Sequence, residues 1–358
     1  MDLTISKNTS VPVYIQIANR LRRQIIDGVY STGFRFPAES EFSAALGVNH
    51  QTLRKSFRIL SEEKLIQQKR GKGTFVIYET EPLYRIAVLG SVLGASSGAL
   101  WLSGLYEAFS ELRNEIISLP YVAGTQRTLK EVFQESKADA LVLYGQTPEI
   151  LSQLSDPFFA SVPCVAINAK NSEAENCFCV DVQPDPMRPA VEHLFRLGHR
   201  RIGFITREEK TSNLLERERS FRNSLEEFGL DTSPELMISS DGTYFESGTE
   251  CALKLISGPD PVSAIICPGP SITFGALYGL MKEGIRIPED VSLVGYDISS
   301  TINPHISTLI QPQYEMAYSA GKILTDCLLK KTVRGAETFQ VQFEERGSTG
   351  KPNRKFTK

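Results

Sequence analysis

Residues 48–65 read VNHQTLRKSFRILSEEKL. Leu53, Phe57 and Leu60 recur at i, i+4 and i+7, which on a helix of 3.6 residues per turn makes one apolar stripe. Gln51, Arg54, Lys55 and Arg58 fall on the opposite arc. Asn49 stands where a side-chain oxygen caps the first free backbone N–H groups. The stretch predicts a capped helix with an apolar inner face and a basic outer one. Such a face serves either a polyanion or plain solvation, and its neighbours decide between the two.

Upstream, VPVYIQIANRLRRQIIDG (11–28) spaces Tyr14, Ile17, Leu21 and Ile25 for a second apolar face, and Gly28 ends that helix. STGFRFP (31–37) is a turn-rich break. AESEFSAALG (38–47) is a short helix with Glu39 and Glu41 in its first turn, where acidic groups suit the helix dipole. Downstream, IQQKRGKGTFVIY (66–78) predicts two short strands around Gly71-Lys72-Gly73. Three helices, the last two joined by a tight turn, then a basic hairpin: this is the layout of a winged helix-turn-helix. A helix in the major groove presents Arg, Gln, Asn or His to base edges and Lys to phosphates. A hairpin tip carrying Arg70 and Lys72 lies on the backbone or in the minor groove, and Gly71 and Gly73 leave room for that approach.

Charge supports the polyanion. The 358 residues carry a formal net charge of −3, yet residues 1–77 hold 12 Lys and Arg against 6 Asp and Glu. The remainder holds 27 against 36, so a basic front end stands on an acidic body.

The first 77 residues resemble the DNA-binding domain of the GntR family of bacterial transcription regulators. The resemblance rests on Pro12, Tyr14, Gln16, Gly28 and Gly33, then on Pro37, Glu39 and Glu41 in FPAESEF. It continues through LGV (46–48), Thr52-Leu53-Arg54 and GKGTFV (71–76). It implies that Arg54 is a principal operator contact, with Gln51 and Thr52 near the bases and Arg70 in the wing. The candidate DNA-binding set is Ser40, Asn49, His50, Gln51, Thr52, Arg54, Lys55, Arg70 and Lys72. Many relatives have Arg where this chain has Ser40 and His50, which bears on the operator sequence more than on DNA binding.

The length suits two or three domains. Residues 1–77 are expected to form the DNA-binding domain, 78–83 a polar linker, 84–347 an effector-binding and dimerisation domain, and 348–358 a basic tail. Beyond the link YETEPLY (78–84), apolar strands such as RIAVLG, ADALVLYG, PCVAINA, RRIGFI and VSLVGYD alternate with helical segments. That alternation predicts an α/β fold: two lobes of doubly wound parallel sheet, with a cleft at the carboxyl ends of the strands.

This part resembles the effector-binding domain of the LacI/GalR family, which shares the fold of periplasmic sugar-binding proteins. The carriers are VEHLFRLGHRRIGFI (191–205), Arg217 four residues before Phe221, GALYGL (275–280), GIRIPEDVSLVGYD (284–297), ISTLIQP (306–312) and RGST (346–349). Residues 84–160 follow the strand–helix order with few signature residues. The whole arrangement resembles the arabinose-responsive repressors. The resemblance implies a cleft lined by Asn168, Arg217 and Asp297, with Ser96 and Ser97 in a loop beside it. Arg217 suits hydroxyls or a carboxylate; alternatively it pairs with Glu216 or Glu218 on the helix surface. Gly269-Pro270 replaces the family's Asn-Asp, and Ile298 replaces a second Asp, so the ligand is less hydroxylated or differently held. Trp101 reads first as core and second as an aromatic wall of the cleft.

Other classes find little support. Six scattered cysteines in a long chain without an apolar leader read as reduced thiols, and the four histidines form no ligand-spaced cluster. No cofactor, metal or membrane partner is expected. GASSG (94–98) fits the G-x-S-x-G of a hydrolase elbow, with Asp297 and His305 following in order. Gly94 lies four positions after Gly90, however, so the turn is not sharp. The combined expectation is a cytoplasmic bacterial transcription regulator, a repressor, acting as a homodimer on two-fold operator DNA. A small carbohydrate-like effector controls it. The alternatives are an activator or constitutive regulator with a degenerate pocket and, remotely, a serine hydrolase.

Overall fold

The computed structural model describes residues 10–79, 82–90, 98–119, 126–169, 177–208, 210–240, 242–332 and 337–353. The chain divides into two compact units, Met1–Pro82 and Leu83–Lys358.

The first unit contains α1 (Val13–Ile26), α2 (Glu39–Ala45), α3 (His50–Glu62), β1 (Ile66–Lys69) and β2 (Gly73–Val76). Asn49 caps α3, its side chain accepting from the Gln51 N–H. Ile17, Leu21 and Ile25 of α1 pack with Phe42 and with Leu53, Phe57 and Leu60 of α3. Tyr14 departs from its expected place in that stripe. It is only half-buried, and its ring lies 5.8 Å from the Lys55 ammonium. β1 and β2 pair antiparallel with Lys69 opposite Gly73. Gly71 and Gly73 hold φ of 73° and 111°, which side chains rarely adopt.

Residues 31–37 are more than the expected break. Gly33 N–H donates to Val76 O, Val76 N–H to Phe34 O, and Phe36 N–H to Thr74 O, at 2.8–2.9 Å. Arg35 thereby bridges antiparallel to Phe75. The segment adds an edge to the hairpin because Phe34 and Phe36, ring against ring with Tyr30, pull it onto the core.

The second unit is a pair of lobes. The first holds β3 (Tyr84–Leu89), α4 (Gly98–Ala108), β4 (Asn114–Ser118), α5 (Leu129–Ser136), β5 (Ala140–Tyr144), α6 (Pro148–Ser152), β6 (Cys164–Ile167) and β7 (Cys177–Val182). The second holds α7 (Arg188–Leu197), β8 (Ile202–Ile205), α8 (Ser212–Glu227), β9 (Met237–Ile238), α9 (Tyr244–Ser257), β10 (Ala264–Ile266), α10 (Pro270–Lys282), β11 (Ser292–Tyr296) and β12 (Ser307–Ile310). Then come α11 (Gln313–Leu328), β13 (Glu337–Phe339) and β14 (Gln342–Glu344). The sheet orders are β13-β7-β6-β5-β3-β4 and β14-β12-β11-β10-β8-β9. Every pair is parallel except β12 with β14. The central strands are apolar because helices cover both faces; Leu141, Val142 and Leu143 of β5 are each 0% exposed, whereas the edge strands β4, β13 and β14 carry polar residues. Trp101 packs in the first lobe's core with Leu105, Phe109 and Met316. That last residue belongs to α11, so the chain crosses between lobes after β7, after β12 and between β13 and β14.

The expected boundary at 347 falls inside packed structure. Ser348 is buried and its hydroxyl bonds Leu293 O. His199, fully buried, donates from Nε2 to Gly350 O at 2.8 Å, while Nδ1 faces the Ser263 hydroxyl at 2.8 Å. Asn353 still reaches Glu289 O. Residues 348–353 are therefore part of the second lobe, not a free tail, because buried histidine and serine groups need these backbone partners.

Candidate nucleic-acid interface and ligand cleft

In the first unit the exposed face of α3 meets the hairpin across a groove of about 730 Å³. Arg54, Lys55 and Arg58 of α3 line it from one side, and Lys69 and Arg70 from the other. Arg35 completes a set of six cations around a single carboxylate, Glu39. That carboxylate organises the floor: it accepts from Arg54 Nε at 2.8 Å and Gln68 Nε2 at 3.1 Å, and lies 3.2 Å from His50 Nε2. Residues from the starts of α2 and α3 and from β1 thus converge on one acceptor, which presets the Arg54 fork.

Of the expected DNA contacts, Arg54, Lys55 and Arg70 line this groove. Gln51 is exposed on the same arc of α3, Ser40 is exposed in the first turn of α2, and Lys72 is exposed at the hairpin turn. Thr52 is half-buried, and Asn49 is engaged as the cap. His50 faces Glu39. Arg35, Arg58, Gln68 and Lys69 were not among the candidates. Arg35 carried no signal because its segment reads as a turn.

In the second unit, Asn168 and Asp297 occupy equivalent places in the two lobes. Each directly follows the fourth strand of its lobe, β6 or β11, with φ of 54° and 56°. Each donates its N–H to the next strand, Asn168 to Val180 O at 3.0 Å and Asp297 to Leu309 O at 2.7 Å. Gln311 joins them: its Oε1 accepts from Asn168 Nδ2 at 2.9 Å, and its Nε2 donates to Asp297 Oδ2 at 2.6 Å. Desolvation raises the Asp297 carboxyl above the ordinary range, and the nearby Arg217 guanidinium pulls it back.

Arg217 turns inward from α8 and is 8% exposed. It donates to Pro268 O, and its guanidinium carbon sits 3.6 Å from the Tyr296 ring centroid. Glu216 pairs with Arg219 and Glu218 with Lys210, so the surface pairing considered for Arg217 is not what organises these groups. Tyr144 closes β5 against Trp101, centroids 4.7 Å apart, and its phenol is pushed up to about 12 by burial and by Asp297. The lobes also touch where Ser212 N–H donates to Gln146 O at 3.0 Å. Asn168, Arg217 and Asp297 are brought together around Tyr144, Tyr296 and Gln311. Ser96 and Ser97 lie outside the described residues. Asp297 hydrogen-bonds Gln311, whereas His305 lines a separate groove with Leu277, Met281 and Ile306, so the two do not form the relay a hydrolase needs. Among the described residues no group of three or more His, Cys, Asp and Glu could hold a metal. No described helix is long and apolar enough to cross a membrane.

The profile of the gntR family of bacterial regulatory proteins matches residues 13–76, and that of the periplasmic binding protein-like domain matches residues 191–349. The chain is 30% identical over 164 residues to the HTH-type transcriptional repressor CytR of Escherichia coli, covering 45% of this chain. It thereby spans about half of that relative, 48% of its length. The arabinose metabolism transcriptional repressor of Geobacillus stearothermophilus is 24% identical over 349 residues, which is 91% of this chain and 94% of the relative. A LacI-family transcriptional regulator from Enterococcus faecium, solved with bound ribose, superposes with a TM-score of 0.64 at 20% identity over 75% of this chain and all of the other. This chain therefore joins a winged helix-turn-helix of the gntR family of bacterial regulatory proteins to a two-lobed periplasmic binding protein-like domain.

Proposed function

We propose that the protein is a bacterial transcription regulator, a cytoplasmic repressor that binds two-fold operator DNA as a homodimer and answers to a small carbohydrate-like effector. One observation carries the DNA half: six cations line a groove between α3 and the hairpin that holds one carboxylate. Arg54 and Gln51 read bases. Thr52 lies near the bases beside Gln51, and Ser40, Asn49, His50, Lys55, Arg70 and Lys72 lie at or beside the phosphates. The effector half rests on Asn168, Arg217 and Asp297 meeting at the lobe junction, and on similarity to an arabinose metabolism repressor and to a LacI-family regulator solved with bound ribose. Coupling runs through that junction: a ligand that displaces Gln311 changes how the lobes meet, with a coupling free energy of about 1–3 kcal/mol.

Self-association is supported by an apolar patch on the second lobe. Tyr278, Met281 and Ile302 are 52%, 64% and 50% exposed, beside a groove of about 490 Å³ lined by Leu277, Ile285 and Ile306.

A second reading, a regulator without a small-molecule effector, is favoured by one feature. Gln311 already satisfies the polar groups of Asn168 and Asp297. A thermal-shift screen against pentoses, hexoses, sugar acids and nucleosides, followed by operator binding with each hit, separates the two. A sugar that raises the melting temperature and alters operator affinity supports the sensor. No stabilising compound supports the effector-free regulator.

A further inference from the structure

Arg35 lies on an element that a turn-rich sequence conceals. Its segment pairs with β2, and its side chain shares a face with Phe75, Gly73 and Lys69, the register partners across the hairpin. The guanidinium stands 5.9 Å from the Phe75 centroid, and the Lys69 ammonium 5.7 Å from the same ring. A Cβ on Gly73 would come within 3.0 Å of Arg35 Nε, so the bare glycine is what lets the side chain lie along the wing toward the hairpin turn. Two other groove arginines have acidic neighbours: Arg54 has Glu39 at 2.8 Å and Arg58 has Glu62 at 3.7 Å. Among the described residues Arg35 has no such partner. It is exposed, and it borders the same groove as Arg54 and Arg70.

We infer that Arg35 is a DNA-backbone contact, a cation held in place by the wing for one phosphodiester. It supplies from the hairpin edge a charge that Ser40 does not supply from α2. The assignment rests on the DNA-binding function proposed above. The wing holds Arg35 outside the helix face that reaches base edges, so it contributes affinity and not sequence choice. An aromatic floor and a tight glycine flank also leave it fewer rotamers to lose than a free surface arginine has.

The test compares the full-length protein with Arg35→Ala, Arg35→Lys and Arg54→Ala. Two duplexes are used, one selected by the wild type from a random pool and one of unselected random sequence, each titrated from 50 to 200 mM salt. Arg35→Ala is expected to weaken both duplexes by the same factor, roughly five- to ten-fold at 0.1 M salt. It should also flatten the slope of log K against log salt by about 0.9. Arg35→Lys should keep the slope. A thermal melt of each variant separates lost folding from lost contact, and the lysine variant reads the charge should the alanine variant melt early. Unchanged affinity and slope in folded Arg35→Ala would overturn the assignment. So would loss confined to the selected duplex, which would make Arg35 a base reader. A wild type that binds neither duplex, or an Arg54→Ala that loses nothing, defeats the DNA-binding proposal instead.

Discussion

Arg54 and Glu39 show how much of a site is pairing between distant residues. The basic arc of α3 was readable because helical spacing is a local property. The carboxylate that holds Arg54 was read only as a helix-dipole partner, because nothing local in FPAESEF says that its first acid faces a helix 15 residues on. Removing the fork by Arg54→Ala should lower affinity for a selected operator ten- to a hundred-fold, at about 1–3 kcal/mol for a lost bidentate base contact. Binding to random DNA should fall much less, as anisotropy titrations on both duplexes would report. His199 gives a residue-scale prediction about stability. Burial lowers its folded value to about 4 from the ordinary 6.5, and His193 is lowered by burial as well. Between those values the unfolded chain binds the proton and the folded chain does not. Stability therefore falls as pH drops from 6.5 toward 4, by on the order of 3 kcal/mol for His199 alone. Melting temperatures across that range should show the loss, and His199→Gln, though less stable at neutral pH, should flatten it.

At the scale of elements, α9 and α10 are bound by glycines. A Cβ on Gly275 would meet Phe245 O at 2.0 Å, and one on Gly248 would meet Ile272 O at 2.1 Å. Both obstacles are backbone, so neither can step aside. Gly275→Ala should drive the helices apart and destabilise the protein by roughly 1–3 kcal/mol, the usual range for overpacking, whereas Gly258→Ala, with open space around it, should not. Urea melts of the two variants make the comparison. The sequence announced α10 through its apolar run, yet α9 passed unread: SGTECALKLIS looks too small and mixed for a clear stripe. Its start was legible in principle, since Thr243 and Glu246 form a capping box, as Thr128 and Glu131 do for the equally unread α5. The edge strands β13 and β14, three residues each, lie below the length at which alternation means anything.

Across the whole molecule, charge and sequence signature are unevenly spread. The binding-protein profile begins at residue 191, in the second lobe, although the first lobe has the same strand order. The first lobe was legible from its apolar strands and not from motifs, because its fold asks only for buried β-branched and aliphatic runs. The basic groove belongs to a chain that is acidic overall, so DNA affinity should fall steeply with salt. A domain whose other five groove cations all engage phosphates, with Arg54 on the bases, gives a log–log slope of about −4.5. A flat profile would remove the charge argument altogether. The proposed association through Tyr278, Met281 and Ile302 should make the melting temperature rise with protein concentration. Met281→Lys should remove that dependence and shift the sedimentation coefficient to that of a monomer.

The threefold crossing between lobes has a consequence for how the chain is made. The first lobe is written first but finished last: Met316, Ala317, Ala320, Ile323 and Leu324 of α11 close the core that holds Trp101, and β13 supplies its edge strand. On the ribosome, residues 84–182 therefore emerge with one face of the sheet covered by α4 but not by α11, and they wait while most of the second lobe is translated. A ribosome stalled after residue 312 would display a lobe whose Trp101 lacks its α11 neighbours, more open to solvent, quenchers and aggregation than in the finished protein.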